Sequence, residues 1–65
     1  MPNQEDLMFA HMMAMHHEQA LSMVDRELAR GADPRLQAFA AKMRVDQARE
    51  IQQLRDYIRS LGHQP

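Results

Sequence analysis

The sequence predicts an all-α protein, an antiparallel helical hairpin, and three observations carry that prediction. β-Branched residues are few, and no period-2 alternation persists. Apolar residues recur in steps of three and four on both sides of one interior break. That break, Gly31-Ala32-Asp33-Pro34, is the sole interior cluster of helix-breaking residues in a 65-residue chain. A connection this short between two long helices folds them back along each other.

The first helix is expected over about residues 4–30, and Gly31 suits its C-terminus. Asp33 is placed to cap a second helix whose first position is Pro34, a residue that loses nothing there by lacking an N–H. The second helix is expected over about 34–61, with Gly62 as its stop. Residues 1–65 therefore make one domain. A chain of this size buries only about 60% of its unfolded surface, so a disulfide, a metal or a partner subunit usually supplements the core. The sequence has no cysteine, which leaves a metal or self-association.

On the first helix, Leu7, Ala10, Ala14, His17, Leu21, Val24 and Leu28 form a seam; on the second, Leu36, Ala40, Met43, Gln47, Glu50, Leu54, Tyr57 and Leu61 do so. Folding about the break pairs Leu28 with Leu36, Leu21 with Met43, His17 with Gln47, Ala14 with Glu50 and Leu7 with Tyr57. Beside the first seam stand Phe9, Met12, Met13, His16, Ala20 and Met23, which widen the apolar arc to roughly 200° at 100° per residue. One partner helix does not cover such an arc. A second copy of the hairpin would, giving a homodimeric four-helix bundle.

His17, Gln47 and Glu50 put three hydrogen-bonding groups in one layer of this seam. An unpaired buried polar group costs roughly 1–3 kcal/mol, so they must satisfy each other, a water or a metal. One reading is a hydrogen-bonded layer that sets helix register. The other is a metal site: Met13 and His17 are four apart, Met13 and His16 three apart, and His16 and Met23 two turns apart. Thioether with imidazole suits copper, Cu(I) above all, better than magnesium or calcium. A di-iron bundle requires Glu-x-x-His, but Leu21 follows Glu18 and Gln53 follows Glu50 at that spacing. The zincin pattern His-Glu-x-x-His fails after His17-Glu18 as well.

A second cluster, Met8, His11, Met12 and Met15, lies mostly away from the seam; a partner contact or a surface copper patch would each account for it. His63 falls beyond Gly62 in the tail and is expected to be solvated. No serine stands beside a base, and a hairpin offers little pocket, so no catalytic residues are expected and the chain does not read as an enzyme. With a formal net charge of -1 and no basic stripe, nucleic acid is not an expected partner. No apolar run approaches membrane-spanning length, and the first residues do not form a secretory leader, so neither membrane insertion nor an export signal is expected.

The block Phe9-Ala10-His11-Met12-Met13-Ala14-Met15-His16-His17-Glu18-Gln19-Ala20-Leu21-Ser22-Met23, followed by Asp33-Pro34, Ala40 and Gln47-Ala48-Arg49-Glu50-Ile51, closely resembles the domain-of-unknown-function family 305. The hallmarks are Met-x-x-His-His-x-x-Ala-x-x-Met on one helix and Gln-x-x-Glu-Ile on the next. The resemblance implies a ferritin-like four-helix bundle assembled from hairpins, a periplasmic or cell-surface location, and an association of some members with copper binding and resistance. By position it implies a metal site of Met13, His16, His17, Met23, Gln47 and Glu50. Two departures stand out: Met15 occupies a position that is often proline, and Leu54 one that is frequently methionine.

Overall fold

The computed structural model of the chain describes residues 1–63, and these form two helices, α1 (Gln4–Arg30) and α2 (Pro34–Ser60), packed side by side. No strand occurs among the described residues. Asn3 and Asp6 start α1 with a reciprocal cap: the Asn3 side chain accepts from the Asp6 N–H at 3.1 Å, and the Asp6 carboxylate accepts from the Asn3 N–H at 2.9 Å. Glu5 and Asp6 also place negative charge against the positive end of the helix.

The connection is held from both sides. The Gly31 N–H donates to the Glu27 carbonyl at 2.7 Å, and the Gln37 side-chain amide donates to the Gly31 carbonyl at 2.7 Å. Asp33 caps α2 by accepting from the Arg35 N–H at 2.8 Å. The Arg35 guanidinium and backbone N–H beside it hold the Asp33 carboxyl below its ordinary value. This cap therefore stabilises the fold above the unfolded-state pKa and is lost as pH falls through the depressed one.

Gly31 ends α1 with φ −71° and ψ 159°, extended backbone that any residue can adopt. Space, and not left-handed geometry, is what requires glycine there. An added Cβ would overlap the Glu27 carboxylate and come within 2.6 Å of the Glu27 carbonyl oxygen. Gly31→Ala is accordingly expected to cost about 1–3 kcal/mol, as forced overpacking does. A thermal midpoint equal to that of the parent would show that the turn relaxes freely. Gly62 differs, with φ 80°. Its N–H donates to the Arg59 carbonyl and that of His63 to Ile58, the double closure that left-handed glycine permits at a helix end.

The interface between the helices is narrow. Ala10, Ala14, Ala20 and Val24 of α1 meet Ala40, Ile51 and Ile58 of α2, and among these only Ile58 is fully buried. With extents of 46 × 16 × 14 Å, the hairpin is a rod whose surface carries grooves and encloses no deep interior. On one edge, Arg44 pairs with Asp25 at 2.9 Å and Arg55 pairs with Glu18. Such half-exposed pairs contribute little energy, at most about 1 kcal/mol each, but they mark that edge as solvated.

The opposite edge is apolar, and here the packing departs from the expected register. The buried stripe of α2 runs through Ala40, Ile51 and Ile58. Leu36 and Glu50 are exposed, while Met43 and Tyr57 are half-buried at the groove margins. The packed stripe of α2 is thus turned from the expected seam toward Ile51 and Ile58: Ala40 is common to both, Met43, Gln47, Leu54, Tyr57 and Leu61 stay half-buried, and Leu36 and Glu50 lie at the surface. A helix with a broad apolar arc offers two stripes of equal periodicity, and the larger, β-branched Ile51 and Ile58 fill the space against the alanines of α1. Across the interface His17 bonds Glu50, one turn along from Gln47, its expected partner.

Candidate metal centre

His17 is the one buried polar or charged residue among those described, with 8% of its surface exposed. Its place in α1 follows from phase: it continues the stripe of Ala10 and Ala14, whose small side chains admit α2 closely enough for an imidazole to bridge the helices. The ring Nε2 lies 2.6 Å from Glu50 Oε1. A carboxylate can only accept, so Nε2 carries the hydrogen and donates it. In the neutral ring Nδ1 is then a bare lone pair, and it is buried without a hydrogen-bond partner.

Gln47 Oε1 is likewise buried without a partner. Two acceptors cannot satisfy each other. With the ring neutral, each calls for a donor or a cation, whether a water, an ion or, for His17, an amide N–H. The pairing of one imidazole nitrogen with a carboxylate is also the arrangement that orients a metal-ligating histidine and raises its basicity.

Met13, one turn before His17, lines the same groove, as do Phe9, Ala10, Glu50, Leu54 and Tyr57. The groove holds about 550 Å³ and is mainly apolar. Three of the six expected site residues, Met13, His17 and Glu50, therefore come together. Gln47, one turn before Glu50 on α2, is half-buried and does not line the groove. His16 does not join them. It is exposed on the flank of α1, its ring centroid 6.3 Å from that of His17 at an interplanar angle of 66°. Met23 does not join them either: ten residues after Met13, it stands about 15 Å further along α1 and lines a separate groove with Ala20, Leu36, Phe39 and Met43.

Among the described residues no three His, Asp or Glu side chains are grouped to hold a metal ion. Any ion taken by this layer would draw on thioether or amide donors as well as imidazole, a soft set. The aromatic walls Phe9 and Tyr57 were legible only as members of apolar stripes. Their convergence around His17 depends on the pairing of the helices.

Fold and site together define a two-helix hairpin whose interface carries a carboxylate-oriented histidine next to a thioether. The sequence matches, over residues 3–65, the family described as Domain of unknown function (DUF305), and the chain belongs to that family. No curated protein and no solved structure matches the chain. No helix among the described residues is long and apolar enough to cross a membrane.

Proposed function

We propose that this protein binds copper as Cu(I), for sequestration or tolerance and not for turnover. The observation that carries the reading is the buried, unpartnered Nδ1 of His17, left free by the Nε2 bond to Glu50, in a groove that Met13 also lines. His17 and Met13 would hold the ion, Glu50 would orient the ring, and Gln47 offers a neutral oxygen on the far side. Bound there, Cu(I) would be shielded from water by Phe9, Leu54 and Tyr57. The absence of cysteine fits an oxidising compartment as well as a reducing one, and it is the family resemblance that favours an extracytoplasmic setting.

The groove face also supports a homodimer that closes into a four-helix bundle. Phe9 is 62% and Phe39 65% exposed, and Met12, Met23 and Leu36 lie as open beside them. Together these five present on the order of 600 Å² of apolar surface, near the 800 Å² or so per partner of a standard interface. A two-fold axis lying in that interface, across α1 at the level of His16, would bring Met23 of the second copy to the level of Phe9. The thioether that one hairpin holds about 15 Å from Met13 would then approach the groove from its partner.

Competition of the purified protein with a Cu(I) chelator under reducing conditions tests the site; wild type holding copper no better than His17→Gln would remove it. Sedimentation tests the assembly. Wild type is expected at twice the 7.6 kDa of one chain, and Phe39→Glu at the single mass with helicity retained. A monomeric wild type would confine the site to one hairpin.

A further inference from the structure

A second group of soft donors lies on the flank of α1 outside the groove, bordering the apolar face at Met12. Met8, Met12 and Met15 are 51–56% exposed, and His11 is exposed among them. Their steps along α1 are three and four residues, so neighbouring Cβ atoms lie about 5–6 Å apart and the four make one patch. At 100° per residue, Met8, His11 and Met15 point roughly 120–180° away from His17. A second hairpin docked on the groove face would leave these three uncovered. Core packing therefore does not account for them.

The local charge indicates what such a patch can hold. His11, Met12 and Met15 border a groove of about 660 Å³ whose charged members are Glu18, Arg55 and Arg59. Glu18 is paired with Arg55, and Arg59 with Asp56 at 2.9 Å, so no carboxylate there is left to attract a hard divalent ion. What remains is an imidazole nitrogen and neutral thioether sulfurs, a set that favours a soft monovalent cation. All of its members belong to one helix.

We propose that Met8, His11 and Met15, with Met12 at the margin, form a second and surface-accessible site for a soft monovalent cation on the outer face of α1. The cation forms dative bonds to one imidazole nitrogen and to thioether sulfurs and sheds water in exchange, with no change of oxidation state. Because the patch needs neither the interhelical layer nor a second copy, its fate is separable from that of the His17 centre. Exposure suits it to exchange metal with the surroundings, whereas the groove suits retention.

Silver(I) nitrate, redox-inert, is the probe, with stoichiometry read by native mass spectrometry and donors by methionine methyl resonances. The 65-residue chain is expected to bind two Ag(I). Met8→Leu/Met15→Leu should lose one, with affinity at that site at least tenfold weaker, while Met13→Leu/His17→Gln keeps it. Leucine for exposed methionine preserves volume and helix propensity, and far-ultraviolet dichroism checks that the fold persists. The proposal is overturned if the Met8 and Met15 methyl signals stay fixed through one equivalent of silver. It is equally overturned if the double leucine variant binds as many ions as tightly as wild type. Loss of binding only in Met13→Leu/His17→Gln would support the groove site and sink this one; the converse would do the reverse.

Discussion

Ile58→Ala is expected to unfold most of the protein at room temperature. Ile58 is 0% exposed and the largest fully buried side chain among the described residues, in an interface otherwise made mainly of alanines. Truncating such a residue costs about 2–5 kcal/mol, because the transfer energy of the lost methylenes adds to that of the cavity left behind. A core of this size supplies roughly 3–5 kcal/mol in all. Helical dichroism through a urea titration gives the measurement. A midpoint within error of wild type would mean that the helices are held together elsewhere, with the groove face as the first place to look.

The second large effect concerns Glu50→Gln. Glu50 is half-exposed and lines the groove together with His17, so its replacement should leave the hairpin folded. Removing the carboxylate takes away the group that fixes the ring with Nε2 protonated and Nδ1 free. Loss of such an orienting partner typically weakens metal binding about 10–100-fold, and that is the fall in Cu(I) affinity expected by chelator competition. Affinity in wild type should also decline on acidification, since a proton and the metal compete for the same imidazole lone pair. An affinity unchanged in Glu50→Gln and flat with pH would leave the layer a purely structural device.

Much of the fold was legible because its signals are local. Gly31 to Pro34 break the chain, Asp33 caps α2 and Gly62 stops it, each through the backbone geometry or hydrogen bonds of its own few neighbours. The α1 stripe was legible for a related reason: Ala10, Ala14, His17 and Val24 share a single phase. On α2 two phases compete, one through Met43, Glu50 and Tyr57, the other through Ile51 and Ile58. Periodicity is the same for both. Sequence spacing alone cannot choose between them, since the choice depends on what the other helix presents.

That ambiguity passes directly to the candidate site. Residue types and helical steps singled out Met13, His16, His17, Met23, Gln47 and Glu50, but spacing on one helix says which residues share a face and not which of them meet across an interface. Two helices, their connection, a buried histidine and a carboxylate near it were determined by the sequence itself, through turn chemistry, capping and hydrophobic period. Tertiary structure decided that His17 bonds Glu50, that Met13 shares their groove, and that His16 and Met23 stand apart from it and exposed. The reason is physical: rotation and axial offset between helices are set by how unequal side chains fill the gap between them, here Ile51 and Ile58 against a row of alanines.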